Sequence, residues 1–503
     1  MKKILSYFAI IALSLGFITS CDLDIYPSNI LTEEQMKEAP TGLEDLVNGC
    51  YARFKSSSFI QQLHRMTDFG SDDVVYGHET EDAAINMAFR YEQRNSGLNN
   101  VRSHWSQCYG IIYAANVAIE LADSMEQTPE VEYLKGEALF MKAMAYHELV
   151  RIFARPYSDN PDGLGIILRD NTEDVAPKAR ASVKETYKAI LDLLDEAAPL
   201  LADRSVSSRS SDRCLASIGA VNALYSRVYL YMGEWDKCIE YSTKVINERR
   251  YYRLTSAANF KEYYRNCTSE RESIWCIGYK TADEGNPGLT SMITAPKSGC
   301  WSEEGYSAPL LEDMGIGTDL EQDDARWGFV EEGFKKNGLT LIPCSKYDGP
   351  AANVKWISVP LFRLAEIYFN RAEAYAQKGQ DDLALADINT VRTARMLNNA
   401  EDHLWTAADA ANAGGMVELV LKEKRIDYPF EFQRWFDLGR HKKDVVRNYW
   451  GFHTPDYLGV TQPGVPGLDR PGVVVSYSDP HFIYPIPNTE LVNNELCEKN
   501  PGY

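Results

Sequence analysis

Two stretches decide the fold: Asn222–Ile246, NALYSRVYLYMGEWDKCIEYSTKVI, and Tyr368–Arg392, YFNRAEAYAQKGQDDLALADINTVR. They align at a constant offset when Gly233 is placed on Gly379. Small residues then coincide at Ser226 and Ala372, where two helices must approach closely. Tyr229 and Tyr375 follow three residues later, one helical turn on, to fill the inter-helix groove. The glycines occupy the turn, and Cys238 and Ala384 are the small contacts on the second helix. Each stretch therefore reads as two antiparallel helices joined by a glycine turn.

Small, aromatic, glycine and small residues at these spacings are what a tetratricopeptide repeat requires. A third, partial copy uses Ala143 and Tyr146, with its second helix delayed to about Ser182 by an insertion. Apolar periodicity predicts helices near 41–55, 103–124, 130–154, 182–202, 216–232, 235–249, 358–378, 381–396 and 415–427. The expected pairs are approximately 41–124, 130–202, 216–249 and 358–396. The reading is thus a mostly α chain of tetratricopeptide-like helical repeats with few short strands. Two regions break the period: 65–100, and a loop-rich stretch over approximately 250–350 that is least periodic from 275. Ser273–Tyr279, SIWCIGY, reads as a short strand. The tail from 451 is rich in Pro and Gly and reads as extended chain packed on the body.

The N-terminus has a different logic. Lys2 and Lys3 precede an apolar run from Ile4 to Ile18, which ends at Thr19, Ser20 and Cys21. A basic start and a greasy core of roughly 15 residues make a secretory signal rather than a membrane span. Ile18–Cys21 resembles a bacterial lipobox, in which the cysteine is lipidated. The expectation is a signal peptide over 1–20 and a single domain over 21–503, with approximately 350–503 as its C-terminal segment. Two or more acyl chains would give a stable anchor. Asp22 and Asp24 resemble the surface-export signal of lipoproteins in Bacteroides-like bacteria.

The chain of 503 residues is ample for a large core, and its net charge is −20. Such a charge excludes nucleic acid as a partner, because phosphates need Lys and Arg to replace their counterions. Nine cysteines remain after Cys21, at irregular spacings and without CxxC, which argues against a disulfide framework or a zinc site. Most read as small buried hydrophobes, with one or two bridges left open among Cys267, Cys276 and Cys300.

Four further segments carry a family resemblance. They are Phe362–Gly379 (FRLAEIYFNRAEAYAQKG), Ile388–Arg395 (INTVRTAR), Glu423–Arg440 (EKRIDYPFEFQRWFDLGR) and Tyr484–Tyr503 (YPIPNTELVNNELCEKNPGY). With the lipobox, the chain resembles the SusD/RagB family of outer-membrane nutrient-binding lipoproteins. It departs from the family pattern at Asp427, usually Glu, at Phe432, where Gly is common, and at Lys499, where Gln is common. The resemblance implies capture of an oligomeric nutrient and its delivery to a SusC-like TonB-dependent transporter. It also implies a ligand site built from loops opposite the repeats. Arg363, Glu366, Arg371 and Glu373, and likewise Arg434, Asp437 and Arg440, sit at helical spacings and read as ion pairs that lock the repeats to the tail.

No HExxH, Walker loop, GxGxxG or GxSxG occurs, and no histidines are spaced for metal. The chain is therefore read as a non-enzyme without a cofactor, with a structural calcium left open. Asp72–Asp73 and Asp323–Asp324 read as solvated loops or calcium contacts; a pair of hydrolytic carboxylates is the minority reading. Binding rests on aromatics, since a sugar ring lays its C–H face on them at small entropic cost. The candidates are Trp301, Tyr306 and Trp327, with Tyr76, His78 and Arg90 (and Arg65 and Tyr91) from the second irregular region. Trp301 is equally consistent with packing. Trp105, Trp275 and Trp435 read as core. Peptide binding is the rival to an oligosaccharide, and a surface hydrolase is a second.

Overall fold

The computed structural model describes residues 33–39, 41–76, 99–279, 281, 288–295, 300–336, 339–349, 357–447 and 473–503. The chain divides into two compact units, Met1–Gly42 and Leu43–Tyr503. The first contributes the short helix Glu33–Glu38. The remaining description concerns the second.

The paired glycines do what their spacing predicts. Gly233 and Gly379 both turn through the left-handed region, with φ +77° and +69°, which L side chains enter only at a cost. Each closes one helix, Ile218–Met232 or Leu364–Gln377, and opens the next, Trp235–Asn247 or Asp381–Arg395. Ser226, Ala372, Cys238 and Ala384 are all fully buried where these helices cross. The Ser226 and Ser242 hydroxyls meet at 2.7 Å, and the Cys238 Sγ lies 3.4 Å from the Asn370 carbonyl. No larger side chain fits such an approach.

The helices pack in chain order. Asn99–Ser124 lies on Pro129–Phe153, which lies on Val183–Leu200, then Ile218–Met232 and Trp235–Asn247. Trp235–Asn247 then packs directly on Leu364–Gln377, as adjacent repeats do, so the stack continues across the long intervening stretch of sequence. The delayed helix begins at Ser182 with a reciprocal capping box to Glu185. Met416–Asp427 closes the far end against both helices of the last pair.

Three expectations are corrected. Asn99–Ser124 pairs with Ser57–Met66, not with Gly42–Phe54. Ser57–Met66 is capped by Ser56 and buries Phe59, Ile60, Leu63 and Met66 on one face. The helix expected over 358–378 begins only at Leu364, because Val359–Arg363 is a strand paired antiparallel with Ser273–Ile277. The β-branched Val359 precedes Pro360, which holds it extended. Finally, the ion-pair residues of this segment reach other elements rather than one another.

Those ion pairs form the centre of the molecule. Arg363 contacts Glu272 at 2.8 Å, Asp427 at 3.0 Å and Glu431 at 2.7 Å. Arg395 contacts Glu272 at 2.6 Å and Asp427 at 2.7 Å. Arg326 bridges Asp324 and Glu423, Arg392 joins Glu423, and Lys346 joins Glu431. Five cations face five carboxylates, all buried, so the network is neutral as a whole. Glu366 pairs with Arg227, and Glu373 with Arg440. The repeats are thereby locked to the C-terminal segment, as the sequence suggested, but across elements.

The nine cysteines after Cys21 are thiols, Cys267 and Cys276 included. Trp105, Trp275 and Trp435 are core. Among the described residues no helix is long and apolar enough to cross a membrane.

Candidate ligand-binding site

The irregular segments meet in a small antiparallel ribbon. Val74–Tyr76 pairs with Glu304–Tyr306, in register Val74↔Tyr306 and Tyr76↔Glu304. Tyr306 also donates its N–H to the Ile342 carbonyl at 2.8 Å. Gly305 belongs to that close approach: a Cβ there would stand 2.7 Å from the same carbonyl oxygen.

A buried histidine holds the ribbon. His64 sits 2.6 Å from Glu304 and 3.3 Å from Asp68, and Asp68 accepts the Phe432 N–H at 2.8 Å. Burial disfavours its charge, but Glu304 and Asp68 outweigh that and raise its pKa to about 9. One imidazolium thus ties helix Ser57–Met66, the ribbon and the C-terminal segment. Sequence could not have found this, because His64 and Glu304 lie 240 positions apart.

Trp301 stands at the entry to the ribbon and is 48% exposed. Ser302 follows with φ +52° and is buried. Its hydroxyl has no hydrogen-bond partner. The exposed indole therefore stands next in sequence to a buried residue in a left-handed conformation at the start of the ribbon.

The other candidates are placed differently. Tyr306 is buried, with its hydroxyl 3.2 Å from the Cys344 Sγ and its ring against Phe430. Tyr76 is buried against Phe69. Both lie in the ribbon strands and are buried, so neither offers an open ring face. Trp327 is half-buried and donates Nε1 to the Met314 carbonyl at 3.0 Å. Arg65 is half-buried at the end of its helix. His78, Arg90 and Tyr91 lie outside the described residues.

The acid pairs are committed to partner side chains rather than left as solvated loops. Asp72 accepts from Arg434 at 2.7 and 2.8 Å, and Asp73 from Arg425 at 2.7 Å. Burial works against the Asp72 charge, yet Arg434 and Arg425 hold its carboxyl well below the usual range. Burial and the neighbouring Asp72 charge push Asp73 the other way. Asp324 serves Arg326, and Asp323 serves His403 and Asn399. Among the described residues no group of three or more His, Cys, Asp or Glu is placed to hold a metal.

Stacked helix pairs carrying a strand-backed surface with an exposed tryptophan define a class of binding scaffold. Two family models match parts of the chain: one described as the SusD family over residues 345–503, and one described as starch-binding, associating with outer membrane, over residues 23–230. SusD-like protein P2 of Formosa agariphila is 24% identical over the full length of both chains. The Starch-binding protein SusD of Bacteroides thetaiotaomicron is 32% identical over 202 residues, 39% of this chain and 30% of its own. A solved SusD superfamily protein of Bacteroides thetaiotaomicron superposes with a TM-score of 0.75 at 21% identity, covering 91% of this chain and 99% of that one. A SusD-like carbohydrate binding protein of Bacteroides vulgatus gives 0.72 at 19% identity, covering 90% and 96%. The chain belongs to the SusD/RagB family.

Proposed function

We propose that this protein is a non-catalytic, lipid-anchored protein of the outer membrane that binds an oligosaccharide and passes it to a SusC-like TonB-dependent transporter. The observation that carries the binding reading is Trp301, a half-exposed indole at the entry to a ribbon pinned by His64. A pyranose lays its C–H face on such a ring, and its hydroxyls reach nearby polar groups. Family membership supports the ligand class, since relatives are named as starch-binding and carbohydrate binding. The lipobox-like Ile18–Cys21 supports the anchor and Asp22 and Asp24 the outward face. A non-catalytic role is supported by the acid pairs, whose carboxylates are committed to arginine, histidine and asparagine.

A glycan array run beside a peptide pool tests this. Retention on a class of oligosaccharides with no release of reducing ends is expected. Retention on peptides alone, or release of reducing ends that disappears on Asp72→Asn, would overturn it.

A further inference from the structure

A pocket of about 260 Å³ lies between helix Asn99–Ser124 and the loop that follows Ile167. It shares no lining residue with the ribbon. Two side chains at this pocket expose apolar surface that a folded chain ordinarily covers: Tyr113 is 52% exposed and Val175 is 73% exposed. Facing them is Asn116, only 2% exposed. Its Oδ1 has no hydrogen-bond partner, and its Nδ2 makes a single long bond of 3.4 Å to the Arg169 carbonyl. A buried amide left this incomplete costs stability unless something else completes it.

The walls are built and stiff. The Tyr109 hydroxyl donates to the Ile167 carbonyl and accepts its N–H, at 2.9 and 3.0 Å. Tyr146 brackets Arg169 in the same way. Thr172 gives its N–H and hydroxyl to Glu120 at 2.8 and 2.6 Å. The Arg169 guanidinium is spent on Asp174 and on the Asp174 and Ala176 carbonyls. Little ordering entropy remains to oppose a ligand.

The chemistry selects the ligand. Among the described residues that line the pocket, Arg169 carries the positive charge and is spent on Asp174, which Lys178 also meets at 2.8 Å, while Glu490 accepts from Trp105 and Asn494, so no free cation of the lining draws an anion. Carboxylate and amide oxygens accept hydroxyl protons, while Tyr113 and Val175 offer a face to C–H groups. The volume holds one ring and not a chain. We propose that this pocket is a binding site for a single neutral pyranose residue, additional to the Trp301 surface.

Saturation-transfer NMR with the methyl glycosides of glucose, galactose, mannose and xylose tests this on the wild-type protein and on Tyr113→Ala, Val175→Glu and Trp301→Ala. At least one glycoside should bind. Tyr113→Ala and Val175→Glu, both on exposed side chains, should each weaken it fivefold or more without lowering the melting temperature. Trp301→Ala should leave this binding in place. If no glycoside binds, or if the two pocket variants bind like wild type, the pocket is not a sugar site. If Trp301→Ala alone abolishes binding, the proposal fails while the Trp301 reading stands. If only the pocket variants abolish it, the proposal stands, and the Trp301 surface is tested separately by the oligosaccharide array.

Discussion

At the scale of single residues, the departures from the family pattern are the most informative positions. Phe432 adopts φ +63°, a conformation that suits glycine, yet its ring is buried and its N–H serves Asp68. The left-handed backbone costs an L residue about 1–2 kcal/mol, while losing a buried phenyl costs about 3–5 kcal/mol. The ring wins, so Phe432→Gly should destabilise by about 2 kcal/mol. Phe432→Ala loses the ring and keeps the strain, so it should be the less stable of the two by about 1 kcal/mol. Urea unfolding of both variants checks this; the more usual order, alanine above glycine, would refute it. Asp427 is one methylene shorter than the usual residue and sits between Arg363 and Arg395. Arg363→Met would leave Glu272, Asp427 and Glu431 with one cation fewer in a dry interior. A loss of about 3–5 kcal/mol is expected, as for other buried pairs broken from one side; a loss under 1 kcal/mol in denaturant titration would show the network to be dispensable.

Among the elements, the repeat turns allow a clean comparison. A Cβ on Gly379 would meet no atom within 4 Å, so Gly379→Ala should cost only the backbone term, about 1 kcal/mol. On Gly219 a Cβ would strike the Tyr252 hydroxyl at 1.9 Å, and Gly219→Ala should cost clearly more. Thermal unfolding of the two variants separates strain from collision, and equal losses would contradict the assignment. Elements of this kind were legible because their information is local: helix pairs, glycine turns and the Ser182 start all lie within one turn of their cues. Helix Ser57–Met66 escaped because its face is completed by a partner some forty residues later, and the start of Leu364–Gln377 shifted because Pro360 outweighs periodicity. Trp301 could be named from sequence as an aromatic in an irregular region. The burial of Tyr306 and Tyr76 could not, because it depends on strand pairing between residues more than 200 positions apart.

For the molecule as a whole, the buried charges set the dependence of stability on pH. Asp427, Glu373 and Asp437 are held low: burial opposes their charge, but Arg395 and Arg363, Arg440 and His441, and Lys424 and Arg440 respectively outweigh it. Their contribution is present above the unfolded carboxylate pKa of about 4 and is lost as pH falls below it. Burial lowers His104 to about 4, so the unfolded chain gains a proton first and stability also falls between pH of about 6.5 and 4. His64 works in the opposite sense. Its folded pKa of about 9 exceeds the unfolded value, so its contribution is complete below pH of about 6.5 and lost as pH rises through 9. These groups alone place losses on both sides of about pH 6.5, while Asp73, pushed up to about 6, offsets part of the acid side; His64→Gln should flatten the alkaline slope while leaving the acid one. An unchanged alkaline slope in that variant would remove His64 from the account. These pairs hold the helical stack, the ribbon and the C-terminal segment as one scaffold, and on it the exposed Trp301 indole carries the binding claim. The most direct measurement is therefore the affinity of wild type and Trp301→Ala for the oligosaccharide selected on the array, beside their melting curves. At least a tenfold loss of affinity with superimposable melting is predicted, and unchanged affinity would contradict the assignment of the site to Trp301.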